Sequence, residues 1–246
     1  MDADALLRRV LAGTCEFGRV LASDFHELDG VRAAVVPACP ERSVMNSVCY
    51  DSAAQLAAAL DDLAAIYDDA AIRAWTVWVP PADREAAHLL ETAGHLLDAA
   101  PEAMGMELSA AERPADRIDW TRGAELGVVG PLNDRAYGYD GSFERALRAV
   151  PADAITAYAA NLDGQPASCC ATLRCGSDCH VILVATVPEA RGRGLAGTLL
   201  RHALADARER GLETSSLVAT KAGRPLYDRL GYRGVGAVEM WERRRS

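Results

Sequence analysis

The fold of this chain is decided by residues 187–197, which read VPEARGRGLAG. They join a strongly apolar stretch, residues 179–187, to a long amphipathic stretch that begins at Gly194. Glycines at 192, 194 and 197 remove the Cβ atoms that would keep a phosphate away from the backbone. Because the first N–H groups of a helix lack partners and the dipole is positive there, this junction predicts a pyrophosphate site.

One kind of loop with this composition is the dinucleotide fingerprint G-x-G-x-x-G, which residues 192–197 satisfy. That fingerprint follows its strand directly, and an acidic residue ends the next strand. Here Pro188–Arg191 separate the apolar stretch from the glycines, and Glu213 stands before the next apolar stretch. Too little chain follows for the rest of a doubly wound sheet, so the nicotinamide interpretation is disfavoured.

The segment resembles more closely the acetyl-CoA loop of the GNAT superfamily, Arg/Gln-x-x-Gly-x-Gly/Ala. Arg191, Gly194 and Ala196 occupy its defined positions. Downstream, residues 226–232 (LYDRLGY) are similar to the "LYxxxGF" element of that superfamily. The resemblance covers roughly residues 118–243. It implies an α/β fold with a mixed, mostly antiparallel sheet flanked by helices.

The resemblance also implies a mechanism and a set of site residues. The strand before the loop is expected to splay from its neighbour and pair with the pantetheine arm, and a backbone N–H there polarises the thioester carbonyl. An amine then attacks directly, without an acyl-enzyme. The expected acetyl-CoA-binding residues are Ala185, Thr186, Val187, Arg191, Gly192, Arg193, Gly194, Leu195, Ala196 and Gly197.

Tyr227 matches the position of a general acid that protonates the departing CoA thiolate; the alternative is a ring that only packs beside the cofactor. Tyr137 and Tyr139 stand where the family walls the acceptor pocket, or else they belong to the core. The general base is not identified. Its candidates, each also explained as a solvated or loop residue, are Asp140, Glu144, Asp178 and His180.

Hydrophobic periodicity and turn residues predict the elements of both halves. The predicted helices are an opening helix, 54–67, 83–93, 142–150, 194–210 and 224–230. The predicted strands are 31–36, 43–50, 74–79, 103–108, 154–162, a strand ending near 175, 179–187, 214–219 and 238–243. The polar stretch 109–116 is the predicted linker.

The two halves repeat weakly. Residues 89–95 (LLETAGH) align without gaps on 226–232, and residues 77–79 align on 217–219. The first half therefore resembles a degenerate second GNAT domain, a tandem layout also seen in mycothiol synthase-like enzymes; the alternative is chance similarity. We expect a non-catalytic domain over 1–112 and a catalytic domain over 115–246.

Two features of the first half indicate that it does not catalyse. Leu90 stands where Tyr227 stands in the second half, so the leaving-group acid is missing. Between Gly30 and Gly94 there is no glycine, so a loop there cannot cradle pyrophosphate in the same way. We expect this half to complete the acceptor pocket or to form an interface, and a homodimer is compatible with either role.

Composition limits the partners. A net charge of −9 and a pI of about 5.1 disfavour nucleic acid, and no apolar run is long enough to cross a bilayer. Acidic residues near the start indicate no signal peptide, so a cytoplasmic protein is expected; abundant Ala and Arg suggest a bacterial source. The seven cysteines match no metal site and are expected to be reduced, with a 175–179 bridge as the alternative.

These observations predict an acetyl-CoA-dependent N-acetyltransferase that acts on an amine of a small molecule or peptide, with no metal. The alternative from another class is a catalytically idle acyl-CoA-binding module with a role in sensing or assembly.

Overall fold

The computed structural model describes residues 2–111, 113–115 and 118–245. Its helices are α1 (Ala3–Leu21), α2 (Ala53–Asp69), α3 (Arg84–Thr92), α4 (Leu126–Tyr137), α5 (Ser142–Leu147), α6 (Leu195–Glu209) and α7 (Arg224–Leu230). Its strands are β1 (Asp24–Leu28), β2 (Val31–Val35), β3 (Ser47–Tyr50), β4 (Ala74–Val79), β5 (Leu96–Ala99), β6 (Glu102–Glu107), β7 (Trp120–Arg122), β8 (Thr156–Leu162), β9 (Gln165–Cys175), β10 (Asp178–Thr186), β11 (Thr214–Ala219), β12 (Arg233–Ala237) and β13 (Glu239–Arg244).

The strands form two sheets, in the orders β1-β2-β3-β4-β13-β5 and β12-β6-β11-β10-β9-β8-β7. Among the described strands, each sheet has one parallel pair, β3–β4 in the first and β10–β11 in the second; the other pairs are antiparallel. The predicted α/β architecture with mixed, mostly antiparallel sheets is therefore confirmed, and the two-half layout fits the two sheets.

The two halves exchange a strand. β6, from the first half, lies between β11 and β12 of the second sheet, while β13, from the end of the chain, lies between β4 and β5 of the first. β6 and β13 occupy equivalent positions. Each lies next to the second strand of the parallel pair of its sheet, with one further strand beyond it. The division between 1–112 and 115–246 stays a prediction, and each side of it completes the sheet of the other.

Helix α1 packs against strands of both sheets. Asp2 caps it by accepting a hydrogen bond from the Ala5 N–H at 2.7 Å, and its apolar stripe is buried at Leu6 and Val10. At Gly13 the helix meets the second sheet so closely that a Cβ would stand 2.3 Å from the His180 ring. The first element of the chain therefore ties the two halves together.

In the second sheet, side chains alternate between two helical layers. Asn133 of α4 contacts the Cys169 sulfur at 3.4 Å, whereas Tyr158, which pairs with Cys170, donates to Asp206 of α6 at 3.0 Å. α4 therefore covers one face and α6 the other, so the sheet between them is buried on both sides.

Three predicted elements have the bounds of the structure: 74–79, 214–219 and 224–230. The predicted strand 43–50 begins only at residue 47. The predictions missed α4, which carries Pro131 inside the helix, and four short strands, β1, β5, β7 and β12. Residues 112 and 116 of the predicted linker lie outside the described residues.

Candidate functional site

The site is built around an opening between two parallel strands. β10 and β11 pair only where Asp178–His180 face Thr214–Ser216, although β10 continues to Thr186 and β11 to Ala219. On its other side β11 stays paired with β6 along its whole length. The strands therefore diverge after His180 and leave a backbone edge of β10 open. This is the splay that the sequence predicts.

A bulge in β10 lies at the start of the opening. Leu183 has a left-handed φ of +54°, and the register with β9 shifts between Ile182 and Ala185. Helix α4 holds this bulge: the Asn133 side chain donates to the Leu183 carbonyl at 3.4 Å, and the Tyr137 hydroxyl donates to the Val184 carbonyl at 2.8 Å. A left-handed non-glycine residue persists only where its surroundings impose it, so α4 is part of the site.

The strand then enters the glycine turn. Gly192 and Gly194 have φ values of +77° and +78°, and a Cβ built on either would meet no atom within 4 Å. Gly194 precedes the first residue of α6 and brings no capping side chain. An uncapped helix N-terminus, left-handed glycines and open space therefore occur together here, an arrangement that can admit a phosphate.

Two charged side chains, Arg191 and Glu189, tie this turn to the end of α4. The Arg191 guanidinium donates to the carbonyls of Thr186, at 3.3 Å, and of Ala136, at 2.8 Å. Glu189 forms an ion pair with Arg135. In the structure Arg191 therefore joins the turn to the end of β10 and to α4.

The direction of each backbone N–H decides which one could meet a thioester. The Val187 N–H donates to the Ala167 carbonyl at 3.0 Å, and so points toward β9. Because successive residues of a strand point their N–H groups to opposite edges, the Thr186 N–H faces the open edge. Of the predicted group 185–187, Thr186 is therefore the residue whose N–H faces the opening.

Tyr227 lies on α7, just after β11, and is 7% exposed. Its ring packs edge-on against Tyr232 with 5.8 Å between centroids. Burial raises the pKa of Tyr227, and the nearby Tyr137 phenol adds to the increase. The phenol therefore keeps its proton at neutral pH and is available there as an acid rather than as a base.

Tyr137 and Tyr139 form an aromatic wall with Phe143. The Tyr137 and Tyr139 rings stack at 5.8 Å and the Tyr139 and Phe143 rings at 5.3 Å. Tyr137 is 48% exposed while its hydroxyl holds the β10 bulge. The structure thus brings both predicted acceptor residues together beside the opening.

The first half of the chain contributes to this wall. The Arg42 guanidinium lies 4.3 Å from the centre of the Tyr139 ring, and the Cys39 thiol donates to the Ser142 carbonyl at 2.8 Å. The loop between β2 and β3 therefore packs against α5 and the connection before it.

Two of the four general-base candidates lie at the paired end of the strands. Asp178 accepts hydrogen bonds from Thr214 at 2.5 Å and Ser216 at 2.6 Å, and Ser216 also contacts His180 Nδ1 at 2.8 Å. Burial raises the pKa of Asp178 and lowers that of His180 to about 4. Along the strand, His180 lies roughly 20 Å and Asp178 roughly 26 Å from Thr186, so both are structural groups rather than bases.

The other two candidates lie near the aromatic wall. Asp140 accepts from the Ser142 hydroxyl at 2.6 Å, which lowers the pKa of its carboxyl, and it pairs with Arg42 at 3.4 Å. Glu144 pairs with Arg148 at 2.5 Å. Both carboxylates are engaged by cations, and neither is positioned here as a base.

All seven cysteines are free, as predicted for reduced thiols, so the 175–179 bridge is absent. Burial raises the pKa of Cys169 and of Cys179 to about 12. Neither thiol can supply a nucleophilic thiolate near neutral pH, which agrees with direct transfer. No cluster of three or more potential metal-ligating side chains occurs among the described residues.

Sequence reasoning missed Asn133 and Asp134. Asn133 holds the bulge, and Asp134 accepts from the N–H groups of Phe143, at 3.0 Å, and Glu144, at 2.9 Å, and so caps α5. Both lie on α4, whose interior proline hid the helix. A signal existed in the Asn-Asp pair, whose side chains often cap helices and turns.

Residues 153–234 match the family model described as acetyltransferase (GNAT) domain. The match covers about a third of the chain, and together with the fold it supports acyl transfer as the general function.

Solved structures show the same fold. A GCN5-related N-acetyltransferase from Kribbella flavida is 15% identical, with a TM-score of 0.69 over 95% of this chain and 94% of that one. One from Sphaerobacter thermophilus is 19% identical, with a TM-score of 0.59 over 87% and 76%. A tandem GNAT protein of the clavulanic acid pathway is 14% identical, with a TM-score of 0.56 over 87% and 78%.

No curated protein sequence matches the chain at a significant level. Among the described residues, no helix has the length and apolar character needed to span a bilayer.

Proposed function

We propose that the second half binds acetyl-CoA in the opening between β10 and β11 and transfers the acetyl group directly to an amine of a small molecule or peptide. The observation that carries the proposal is the route of β10, which leaves β11 after His180 and ends in the Gly192 and Gly194 turn. The pyrophosphate would take the N–H groups at the start of α6, and the pantetheine arm would take the open edge of β10.

The chemistry follows from this placement. The Thr186 N–H would donate to the thioester oxygen as negative charge develops on it. The neutral amine attacks the carbonyl carbon, the C–S bond breaks and the thiolate leaves, while the new amide nitrogen releases one proton to solvent. Tyr227 would protonate that thiolate, since its raised pKa keeps the phenol protonated. Holding both reactants in one cleft supplies the proximity contribution.

The acceptor side draws on both halves. The exposed Tyr137 ring and the Tyr139 ring under Arg42 would form one wall of the acceptor pocket. We assign residues 115–246 as the catalytic part and residues 1–112 as a scaffold that does not catalyse, with Arg42 as its contribution. Replacing Arg42 by Ala should raise KM for the amine and leave the Kd of acetyl-CoA unchanged.

The first test is calorimetric titration of acetyl-CoA into the full chain and into Gly194→Glu. The added carboxylate would occupy the phosphate position and repel the ligand, so binding should be lost. Gly176→Glu is the matched control, since Gly176 also has positive φ (+61°) and open space but lies in the turn at the opposite end of β10. Equal binding by all three proteins, or no binding by the parent, would overturn the proposed donor site.

Turnover separates catalysis from binding. With acetyl-CoA and a panel of small amines and peptide N-termini, release of free CoA thiol above the hydrolysis background is expected, together with an acetylated product in mass spectra. Tight acetyl-CoA binding with no product from any amine would favour the idle acyl-CoA-binding module.

A further inference from the structure

The first half contains a pocket that the proposed function does not use. It has a volume of about 390 Å³ and lies between α1 and the ends of β2, β3 and β4. Its lining residues are Arg8, Leu11, Ala12, Cys15, Glu16, Arg32, Cys49, Tyr50, Asp51, Trp78 and Pro80. Two cysteines far apart in the sequence therefore share one small cavity.

The two cysteines approach the pocket from different elements, the half-buried Cys15 from α1 and the 9% exposed Cys49 from β3. The interaction with Cys49 lowers the pKa of Cys15, against the opposing effect of burial, and the interaction with Cys15 together with burial raises the pKa of Cys49. A more acidic thiol beside a protonated one is the arrangement of an attacking and a resolving cysteine.

A cation completes the cluster. Arg32 donates to Asp51 at 2.6 Å through one end of its guanidinium, while its buried Nε has no hydrogen-bond partner among the described residues. The Arg32 charge also lowers the pKa of Cys15. Glu16 opposes this effect, but it pairs with Arg19 on the same helix. An unpartnered donor beside a thiol favours the thiolate.

We propose that Cys15 and Cys49 form a redox site, in which a small peroxide entering the pocket converts the two thiols into a reversible disulfide between α1 and β3. The Cys15 thiolate attacks one peroxide oxygen, the O–O bond breaks, and Cys15 becomes a sulfenic acid while water leaves. The Cys49 sulfur then attacks the Cys15 sulfur, the S–O bond breaks, and the Cys49 proton leaves with a second water. Two thiols lose two electrons and two protons, and the peroxide is reduced to two waters.

The chain offers a direct readout. Trypsin places Cys15 in residues 10–19 and Cys49 in residues 43–73, separate from the peptides of the other cysteines. The full-length protein is treated with hydrogen peroxide, alkylated, digested without reduction and mapped by mass spectrometry. A linked 10–19/43–73 peptide that disappears with dithiothreitol is the expected result, formed before any other cysteine is modified.

Variants test the assigned roles. Cys49→Ser should stop disulfide formation and leave a sulfenic acid on Cys15 that dimedone traps. Arg32→Met should slow the modification of Cys15 severalfold. Cys175→Ser is the matched control, since Cys175 is another half-buried thiol near Cys15 but outside the pocket, and it should change neither result.

Two outcomes overturn the proposal. One is a parent protein whose Cys15 and Cys49 stay reduced while other cysteines react. The other is a link from Cys15 to the 175–191 peptide in place of 43–73. Both are read from the unaltered chain, so they do not depend on whether any variant folds.

Discussion

Both halves of the chain open a parallel strand pair at one end, and the two openings end differently. In the second half, β10 runs through residues 187–194 into α6, with two left-handed glycines and no capping side chain. In the first half, β3 and β4 pair only at Ser47–Thr76 and Val48–Val77 before they diverge. The strands β3 and β4 diverge as β10 and β11 do, so diverging strands alone do not make a site of the kind proposed for acetyl-CoA.

What differs is the connection to the next helix. β3 reaches α2 through only Asp51 and Ser52, and the Ser52 hydroxyl accepts the Gln55 N–H at 3.3 Å. The Gln55 N–H, which an anion could have used, is therefore already hydrogen-bonded. The Asp51 carboxylate places a negative charge beside this helix N-terminus. The first half keeps the strand geometry but has closed its helix N-terminus to phosphate, and its opening is the pocket that holds the thiol pair.

The largest expected effect tests this contrast through stoichiometry. Acetyl-CoA should bind once per chain, and Gly194→Glu should remove all measurable binding because the first half offers no second phosphate site. Calorimetry of the parent, of Gly194→Glu and of Gly94→Glu measures it; Gly94 is a positive-φ glycine in open space in the first half. Residual binding in Gly194→Glu would show that the first half also holds the cofactor.

The next prediction concerns the phenol that the first half lacks. Tyr227→Phe should lower kcat by about 100-fold, because general-acid contributions are of this order, and should leave the Kd of acetyl-CoA nearly unchanged. Steady-state kinetics and calorimetry on the same preparation separate the two quantities. An unchanged kcat would mean that the ring only packs, as Leu90 does at the aligned position, where it is fully buried.

The pH dependence sharpens the same point. The pKa of Tyr227 is raised above its ordinary value of 10.0, so the protonated, active form persists as the pH rises through that value. The parent should therefore show no loss of kcat from this group up to about pH 10. A fall in kcat that is present in the parent below pH 10 and absent in Tyr227→Phe would contradict the raised pKa of Tyr227, although not its role as the acid.

A smaller effect is expected from the buried histidine of the first half. His95 is 1% exposed, packs edge-on against Trp75, and has a pKa lowered by burial to about 4 from 6.5. Because the folded state resists protonation of His95, the neutral ring makes its full contribution to stability above pH 6.5. This contribution is lost as the pH falls toward 4. His95→Phe keeps the ring packing and removes this loss. The free energy of unfolding of the variant, relative to that of the parent, should therefore be about 2 kcal/mol higher at pH 5 than at pH 7.

Urea unfolding of parent and variant at both pH values measures this difference. His180 has the same lowered pKa of about 4 and stays in the variant, so part of the acid loss should remain. Identical losses in the two proteins would show that His95 does not titrate with folding.

Much of the second half could be predicted from local pattern. The glycine turn, α6, β11 and α7 each carry their own periodicity or turn residues, and their order resembles one family. The predicted repeat in the first half aligns Gly94 on Gly231, and each of these glycines follows a helix and has positive φ.

The rest depends on contacts that no local pattern encodes. The exchange of β6 and β13 pairs strands from opposite halves, and sequence periodicity cannot show which sheet a strand joins. The Leu183 bulge is held from α4, whose Pro131 argued against a helix. The separation of Asp178 from the site appeared only once the register of β10 and β11 was known.

The smallest expected effect concerns two buried asparagines, one in each half. Asn133 donates to the Leu183 carbonyl at 3.4 Å, while Asn46 accepts the Val36 N–H at 2.8 Å and donates to the Cys39 carbonyl at 2.9 Å. Each change to Ala removes hydrogen bonds and should lower stability by about 1 kcal/mol or more. Only Asn133→Ala should also weaken acetyl-CoA binding, by about threefold to tenfold. Of the two asparagines, only Asn133 bonds to β10, the strand that we propose pairs with acetyl-CoA.

Denaturant unfolding and calorimetry on both variants separate stability from binding. Equal losses of stability with different effects on Kd would assign Asn133 to the positioning of the β10 edge. If both variants bind acetyl-CoA as the parent does, the bulge is held by other contacts, of which the Tyr137 hydroxyl on Val184 is the nearest. If both weaken it equally, the first half supports the donor site as well as the acceptor wall, and the contrast between the two openings would be smaller than the structure indicates.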